Sequence, residues 1–571
     1  MPLRAMIPRI RQTLYTLVPM AALVVLIGLS GVSNDPHVDL VIRGGQVLDG
    51  TGNPWFRADV AVDGGKIVAI GLLDGYTADE MVDASGLIVA PGFVDMHSHA
   101  ADVAWDGQGF DSEDPAVRAA PNLVAQGITT VAINQDGRSP VNIGAQRDKY
   151  EASGIGINTV LMVGHGSIRR HVLRDDYRRV ATPSEIERMR GLVRQALADG
   201  AVGLSAGLEY TPGRWSTTSE VVALMEEVAS VDGVYISHQR SEGADPMWFW
   251  PSVDSSGPPT LIDAVMETIE IGERTGGRVV ASHLKAKGAH YWGSSAAAVQ
   301  LIEAARARGV RVWGDQYPYT TSGSDGNTVL LPRWAFGPQG EEDPNHAARL
   351  ETLLRSPATT TRLRTDTAHE IRRRGGANKV VVLEATDPAL EGMTLADLAD
   401  SLSVDPVAAA FWLQINGDPQ RRGGVRLRGF SMDEEDVDRY AARDWMATAS
   451  DAGIALPTDG PVHPRYWGTF PRKIHRYAME RGVMTIADAV RSSTSLPAHL
   501  LGLSDRGLVR EGMVADLVIL DLESLRDNAT AFNPHAAPDG VVHVFLGGRP
   551  ILKDGEATGG LTGTVLTPLI N

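Results

Sequence analysis

Leu87-Ile88-Val89-Ala90-Pro91-Gly92-Phe93-Val94-Asp95-Met96-His97-Ser98-His99 is the stretch on which the fold turns. An apolar run interrupted by Pro-Gly and ending in His-x-His predicts a buried strand with polar residues at its tip. Side chains alternate along a strand, so His97 and His99 are expected to leave it on the same face. Two imidazoles side by side are half of a divalent metal site. On its own the pair also suits a surface patch, so the rest of the chain must decide.

Alternating strands and helices follow. Gly127–Ile133, Leu161–Gly166, Val202–Ser205, Val234–Ser237, Arg278–Ser282, Val310–Gly314 and Ile454–Pro457 join the strand ending at His99 to make eight candidates. That rhythm predicts a (β/α)8 barrel of the TIM kind over residues 91–499, interrupted by a charged, helix-rich insertion at 332–436 placed as a lid. Short alternating strands with glycine turns at 37–90 and again at 500–571 are expected to pair into one small β-sandwich domain, since neither piece has enough strands to stand alone. The fold class is therefore α/β.

Bulk composition narrows the chemistry. The 571 residues carry a net charge of −17, which argues against a nucleic-acid partner. There is no cysteine, so disulfides, a thiol nucleophile and thiolate metal ligands are excluded. Residues 1–33 place Arg4, Arg9 and Arg11 before the apolar run Leu17–Leu29 and a Gly31-Val32-Ser33 exit. This reads as an export signal, with a retained membrane anchor as the alternative, and gives a periplasmic or extracellular protein with no stable membrane association once cleaved.

Barrel enzymes place catalytic groups at the carboxyl ends of their strands. Here His97 and His99 end one strand, His238 and His283 end two later ones, and the last expected strand runs into Thr458-Asp459-Gly460. His-x-His, His, His and Asp in that order form the ligand set of a hydrolytic metal centre. His165 and the Met247–Trp250 aromatic run are compatible with the site or with plain packing.

The chain resembles the amidohydrolase superfamily and, within it, the N-acyl-D-amino-acid deacylase (D-aminoacylase) family. The resemblance runs from about Asp39 to the C-terminus. It is carried by Ala90–His99, Gly203–Gly213, Ser282-His283-Leu284-Lys285, Tyr317-Pro318-Tyr319, Asp459-Gly460 and His463–Arg472. It implies a bound divalent metal, one or two Zn²⁺ with Mn²⁺ as a variant, and Asp459 as both ligand and proton carrier. It also implies Arg465, Lys285, Tyr210 and Tyr317 as contacts to a small substrate bearing a carboxylate. One departure matters. Family members ligate metal through a cysteine after the second barrel strand, in an Asn-Cys-Gly context, where this chain has Ile133-Asn134-Gln135-Asp136-Gly137. Either Glu209 supplies a bridging carboxylate, the first expectation, or Asp136 fills the cysteine's place. The expected reaction is hydrolysis of a linear amide, N-acyl-D-amino acid to carboxylate and D-amino acid. A dipeptidase for D-residue or other unusual dipeptides is the alternative, a cyclic-amide hydrolase is less favoured, and a barrel that binds without catalysis comes last. Oligomeric state is not legible.

Overall fold

The computed structural model describes residues 36–101, 109–253, 257–323, 327–337 and 344–568. The expected export segment, 1–33, lies outside them. Among the described residues no helix is long and apolar enough to cross a membrane.

Eight parallel strands stand in chain order: β1 (Phe93–Asp95), β2 (Ile128–Ile133), β3 (Asn158–Gly164), β4 (Gly203–Gly207), β5 (Val234–His238), β6 (Arg278–Ala281), β7 (Val312–Gln316) and β8 (Met446–Thr448). Beyond the strand ends, Asp451 N–H donates to His97 O at 2.9 Å and His99 N–H to Ala452 O at 2.8 Å, bringing β8 round to β1. Both faces of these strands are covered, so they read as near-continuous apolar runs, as β3 does with every residue buried. The intervening helices begin where their sequences say they should. Thr182 with Glu185, and Thr260 with Asp263, form reciprocal capping boxes that satisfy the first free N–H groups of their helices.

Two strands differ from the sequence reading. The run through Leu87 is not one barrel strand: Ile88–Pro91 pairs antiparallel with Leu517–Leu520 in the terminal sheet, and only Phe93–Asp95 enters the barrel. Gly92 makes the crossing. Its N–H bonds Asp516 O at 2.8 Å, and a Cβ there would lie 2.3 Å from Thr129 Cγ2 and 2.9 Å from Thr129 Cβ. The eighth strand is Met446–Thr448, in register with Gly314–Gln316, rather than Ile454–Pro457, which follows it as irregular chain. Small residues win here because the position between β7 and β1 selects for fit and not for intrinsic strand preference.

The terminal segments meet in one nine-stranded sheet that includes His37–Val47, Ile88–Pro91 and Leu517–Leu520. Between β7 and β8 the chain leaves the barrel for a segment with its own apolar core, built from Leu363, Val380, Leu398, Leu413 and Leu427. Its helix Pro357–Arg373 docks on the loop after β5, where Ser252 N–H donates to Asp366 at 3.1 Å and His369 lies 3.2 Å from Asp245.

Gly92→Ala should destabilise the protein by about 1–3 kcal/mol through overpacking against Thr129. A lowered thermal unfolding midpoint is expected; an unchanged one would show that the crossing relaxes freely.

Candidate metal centre

His97 and His99 lie just past β1, both at least nine-tenths buried. His97 Nδ1 is 2.7 Å from Ser282 Oγ, which donates in turn to Asp315 at 2.8–2.9 Å. That chain puts the proton on Nδ1 and leaves the Nε2 lone pair facing inward. His238, the last residue of β5, is held the other way round. Its Nε2–H donates to Glu209 Oε2 at 2.9 Å, so Nδ1 faces the centre, 3.0 Å from His283 Nε2. His283 follows β6, with its backbone N–H on Asp315 and its Nδ1 3.3 Å from Glu242 Oε1 and 2.9 Å from Lys285 Nζ.

Asp136 sits among all four imidazoles. Its carboxylate oxygens lie 3.5 Å from His97, 3.6 Å from His99, 3.6 Å from His238 and 3.8 Å from His283. The turn that delivers it is locked: Asn134 and Asp136 take positive φ values of 64° and 59°. Ser205 Oγ donates to Asn134 O at 2.6 Å and accepts from Gly137 N–H at 3.2 Å. A Cβ on Gly207 would meet Asp136 O at 2.2 Å, so the turn can press directly on β4 only because residue 207 is glycine.

Asp451, three residues past β8, completes the group. Its Oδ1 is 3.0 Å from His99 Nε2 and 3.8 Å from His97 Nε2, and its Oδ2 is 2.7 Å from Arg465 Nη1. Asp95 aligns the two strand ends beneath it by accepting N–H bonds from His97 at 3.2 Å and Ser450 at 2.8 Å. Burial pushes the Asp95 and Asp315 carboxyls up to about 7.

The electrostatics suit a cation. Burial opposes ionisation of Asp136 and Asp451. The surrounding histidines, and Arg465 foremost for Asp451, outweigh it and hold both carboxyls below the usual range. Burial also keeps His97 well below the ordinary imidazole value and His283 below it, the neutral state a ligand needs. His97 Nε2 and Asp136 Oδ1 are buried, have no hydrogen-bond partner among the described residues, and lie 3.5 Å apart. Two lone-pair atoms in that relation repel unless a cation stands between them. The donor set of imidazoles and carboxylates fits a divalent metal.

Two expected ligands are displaced by this geometry. Asp459 lies in the loop after Pro457, where its carboxylate accepts the Leu456 N–H at 2.7 Å. The acid that faces the histidines is Asp451, because the last strand ends earlier in the chain than the sequence reading put it. Glu209 does not bridge. It stands behind His238, and Asp136 takes the central position. The signal for Asp451 was present in Thr448-Ala449-Ser450-Asp451, a short strand running into an acid, but its small residues read poorly as a strand. Ser282, Asp315 and Glu242 went unread as well, since no local pattern marks a residue that acts by holding another.

The other expected contacts do gather. Arg465, Lys285, Tyr210 and Tyr317 line a cavity of about 260 Å³ with His99, Asp136 and Asp451. Arg465 lies over the Tyr317 ring at 4.6 Å and Lys285 at 5.1 Å, and the buried Tyr317 hydroxyl has no hydrogen-bond partner among the described residues. His165 is instead committed to Glu220, at 2.9 Å, while Met247 lines the cavity and gives its N–H to Glu209.

The amidohydrolase family profile matches residues 80–313 and 347–552. The chain belongs to the amidohydrolase family. It is a metal-dependent hydrolase acting on amide C–N bonds. Among the relatives of this amidohydrolase is N-acyl-D-glutamate deacylase of Alcaligenes xylosoxydans xylosoxydans, 34% identical over 90% of this chain and 93% of the relative. D-aminoacylase of the same organism is 31% identical over 94% of this chain and 98% of the relative. The crystal structure of N-acyl-D-glutamate deacylase from Bordetella bronchiseptica, complexed with zinc and a phosphonate inhibitor, superposes with a TM-score of 0.68 at 30% identity, covering 93% of this chain and all of that one.

Replacing the orienting acid in Glu209→Gln should weaken metal affinity about 10- to 100-fold. Asp136→Ala should cost more, because Asp136 faces all four imidazoles directly. Competition against a chromogenic chelator measures both, and equal, near-normal affinities would remove both residues from the metal centre.

Proposed function

We propose that this amidohydrolase deacylates N-acyl-D-amino acids, with His97, His99, His238, His283, Asp136 and Asp451 as its metal-facing residues. The observation that carries the reading is the position of Asp451. One of its oxygens meets His99 and the other meets Arg465, so it lies between the metal-type cluster and the cationic wall. An N-acyl-amino acid held by its α-carboxylate on Arg465, Lys285 and the Tyr317 hydroxyl would set its amide beside that carboxylate. Arginine suits this role because its planar fork matches a carboxylate with two parallel donors.

A bound divalent ion would polarise the amide carbonyl and make water acidic enough to supply a nucleophile near neutral pH. The remaining work falls to the chain. Asp451 takes the proton from the attacking water and returns it to the departing amine nitrogen. Tyr210, whose ring is tilted 41° against that of His238 with centroids 4.2 Å apart, closes one side of the cavity. Zinc, as one or two ions per chain, is the favoured metal. With an aspartate where the family carries a cysteine, manganese is a chemically suitable substitute. The basic and apolar character of the first thirty-odd residues supports export.

Elemental analysis paired with turnover of N-acetyl-D- and N-acetyl-L-amino acids tests the reading. D-selective deacylation by metal-loaded protein is expected. Cleavage of D-containing dipeptides without deacylation would transfer the activity to a dipeptidase. Asp451→Asn should lower kcat about 10²- to 10⁴-fold while the histidine-bound metal is retained. Near-normal kcat in that variant would remove Asp451 from proton transfer.

A further inference from the structure

Arg465, the residue given the substrate carboxylate, opens the helix Arg465–Arg472 behind a proline. Pro464 has no side-chain acceptor for the N–H groups left free at a helix start. His463 supplies one instead: the Arg465 N–H donates to His463 Nδ1 at 3.0 Å. A ring nitrogen that accepts cannot carry the proton, so the proton is on Nε2, which lies 3.2 Å from Thr321 O and donates to it. His463 is fully buried. Burial, with the guanidinium groups of Arg465 and Arg428, holds it well below the ordinary imidazole value, in the neutral form that this pair of bonds requires. The ring cannot turn over without losing both bonds. Tyr319 stands edge-on to it at 5.2 Å, and the Tyr319 hydroxyl donates to Pro464 O at 3.4 Å.

Thr321 belongs to the loop after β7, whose Ser322, Gly323 and Asn327 line the cavity together with Arg465. That loop is fixed to the insertion's strand Arg426–Gly429 at several points. Thr321 Oγ donates to Gly429 O at 2.9 Å and Thr328 N–H to Leu427 O at 2.8 Å. Arg428, fully buried, gives its Nη1 to Ser322 O at 3.0 Å and to Gly323 O at 3.2 Å. One imidazole therefore joins the guanidinium that follows β8 to a cavity wall held by the insertion. None of these bonds involves a metal-facing residue.

We infer that His463 is a positioning residue for recognition of the substrate's α-carboxylate, fixing Arg465 at a set distance from the cavity loop that Arg428 of the insertion holds. The inference rests on the deacylase reading for the identity of the ligand. It goes beyond that reading in making the insertion, through Arg428 and His463, part of how Arg465 is aimed.

The two bonds of His463 can be removed one at a time. His463→Asn keeps an acceptor near the position of Nδ1 and gives up the Thr321 bond, whereas His463→Gln keeps a donor near the position of Nε2 and releases the Arg465 N–H. The readout is kcat/KM for N-acetyl-D-leucine divided by that for its α-carboxamide, measured on metal-loaded full-length protein. Both variants should lower that ratio about 10-fold, and His463→Leu by more. Arg428→Met should lower it as well, with partial recovery in Arg428→Lys, and chelator competition should show metal affinity retained throughout. A merely structural role would slow both compounds together, and an unchanged ratio in the His463 variants overturns the inference. A ratio that falls in His463→Gln but holds in both His463→Asn and Arg428→Met confines the effect to the helix start and overturns the link to the insertion. If neither compound is hydrolysed the deacylase reading fails, and calorimetric affinities for the same two compounds then decide the inference by the same ratio.

Discussion

Ring nitrogens of four imidazoles and oxygens of two carboxylates converge beside one cavity, with 3.0 to 3.8 Å between neighbouring atoms. Some of these pairs are within hydrogen-bond distance, as His99 Nε2 and Asp451 Oδ1 are at 3.0 Å, but His97 Nε2 and Asp136 Oδ1 face each other at 3.5 Å with no hydrogen-bond partner among the described residues, and positive charge between those two makes the arrangement favourable. The surrounding structure either brings these atoms together or prevents them from escaping by protonation or rotation. A barrel can do this because its strand ends converge on one rim from many points of the chain.

The atoms behind the ligands do as much as the ligands. Ser282 and Asp315 set the tautomer of His97, Glu209 sets that of His238, and Glu242 faces His283. Without them a ring flip would exchange donor for acceptor at the centre. Asp136 adds a difference in kind. Where the family uses a thiolate, a carboxylate offers two harder oxygens.

Chemistry and selectivity come from different parts of the chain. Strand ends supply the metal-facing residues and Arg465 follows the last of them, whereas Arg373 and Arg374 enter the cavity from the insertion. Segments between strands can change without disturbing the barrel, which lets one scaffold meet different substrates. The insertion's separate apolar core fits that division, since it can hold its own shape while only its edge touches the cavity.

Local sequence was enough to establish the alternation of strand and helix, the pairing of the chain's two ends in one sheet, and the four histidines. These depend on short-range periodicity or on a motif confined to a few residues at a strand tip. It also presented both acids that could replace the missing cysteine, without ranking them correctly. The folded chain was needed to show that Asp136 is central and Glu209 lies behind His238, and that Asp451 rather than Asp459 faces the metal site. Each of those outcomes turns on where a loop ends in space. Asp136 depends on a positive-φ turn held by Ser205, and Asp451 on a short strand of small residues made regular by its neighbours. Contacts between residues dozens to hundreds of positions apart leave no periodic trace in the chain, so their result becomes visible only once it is folded.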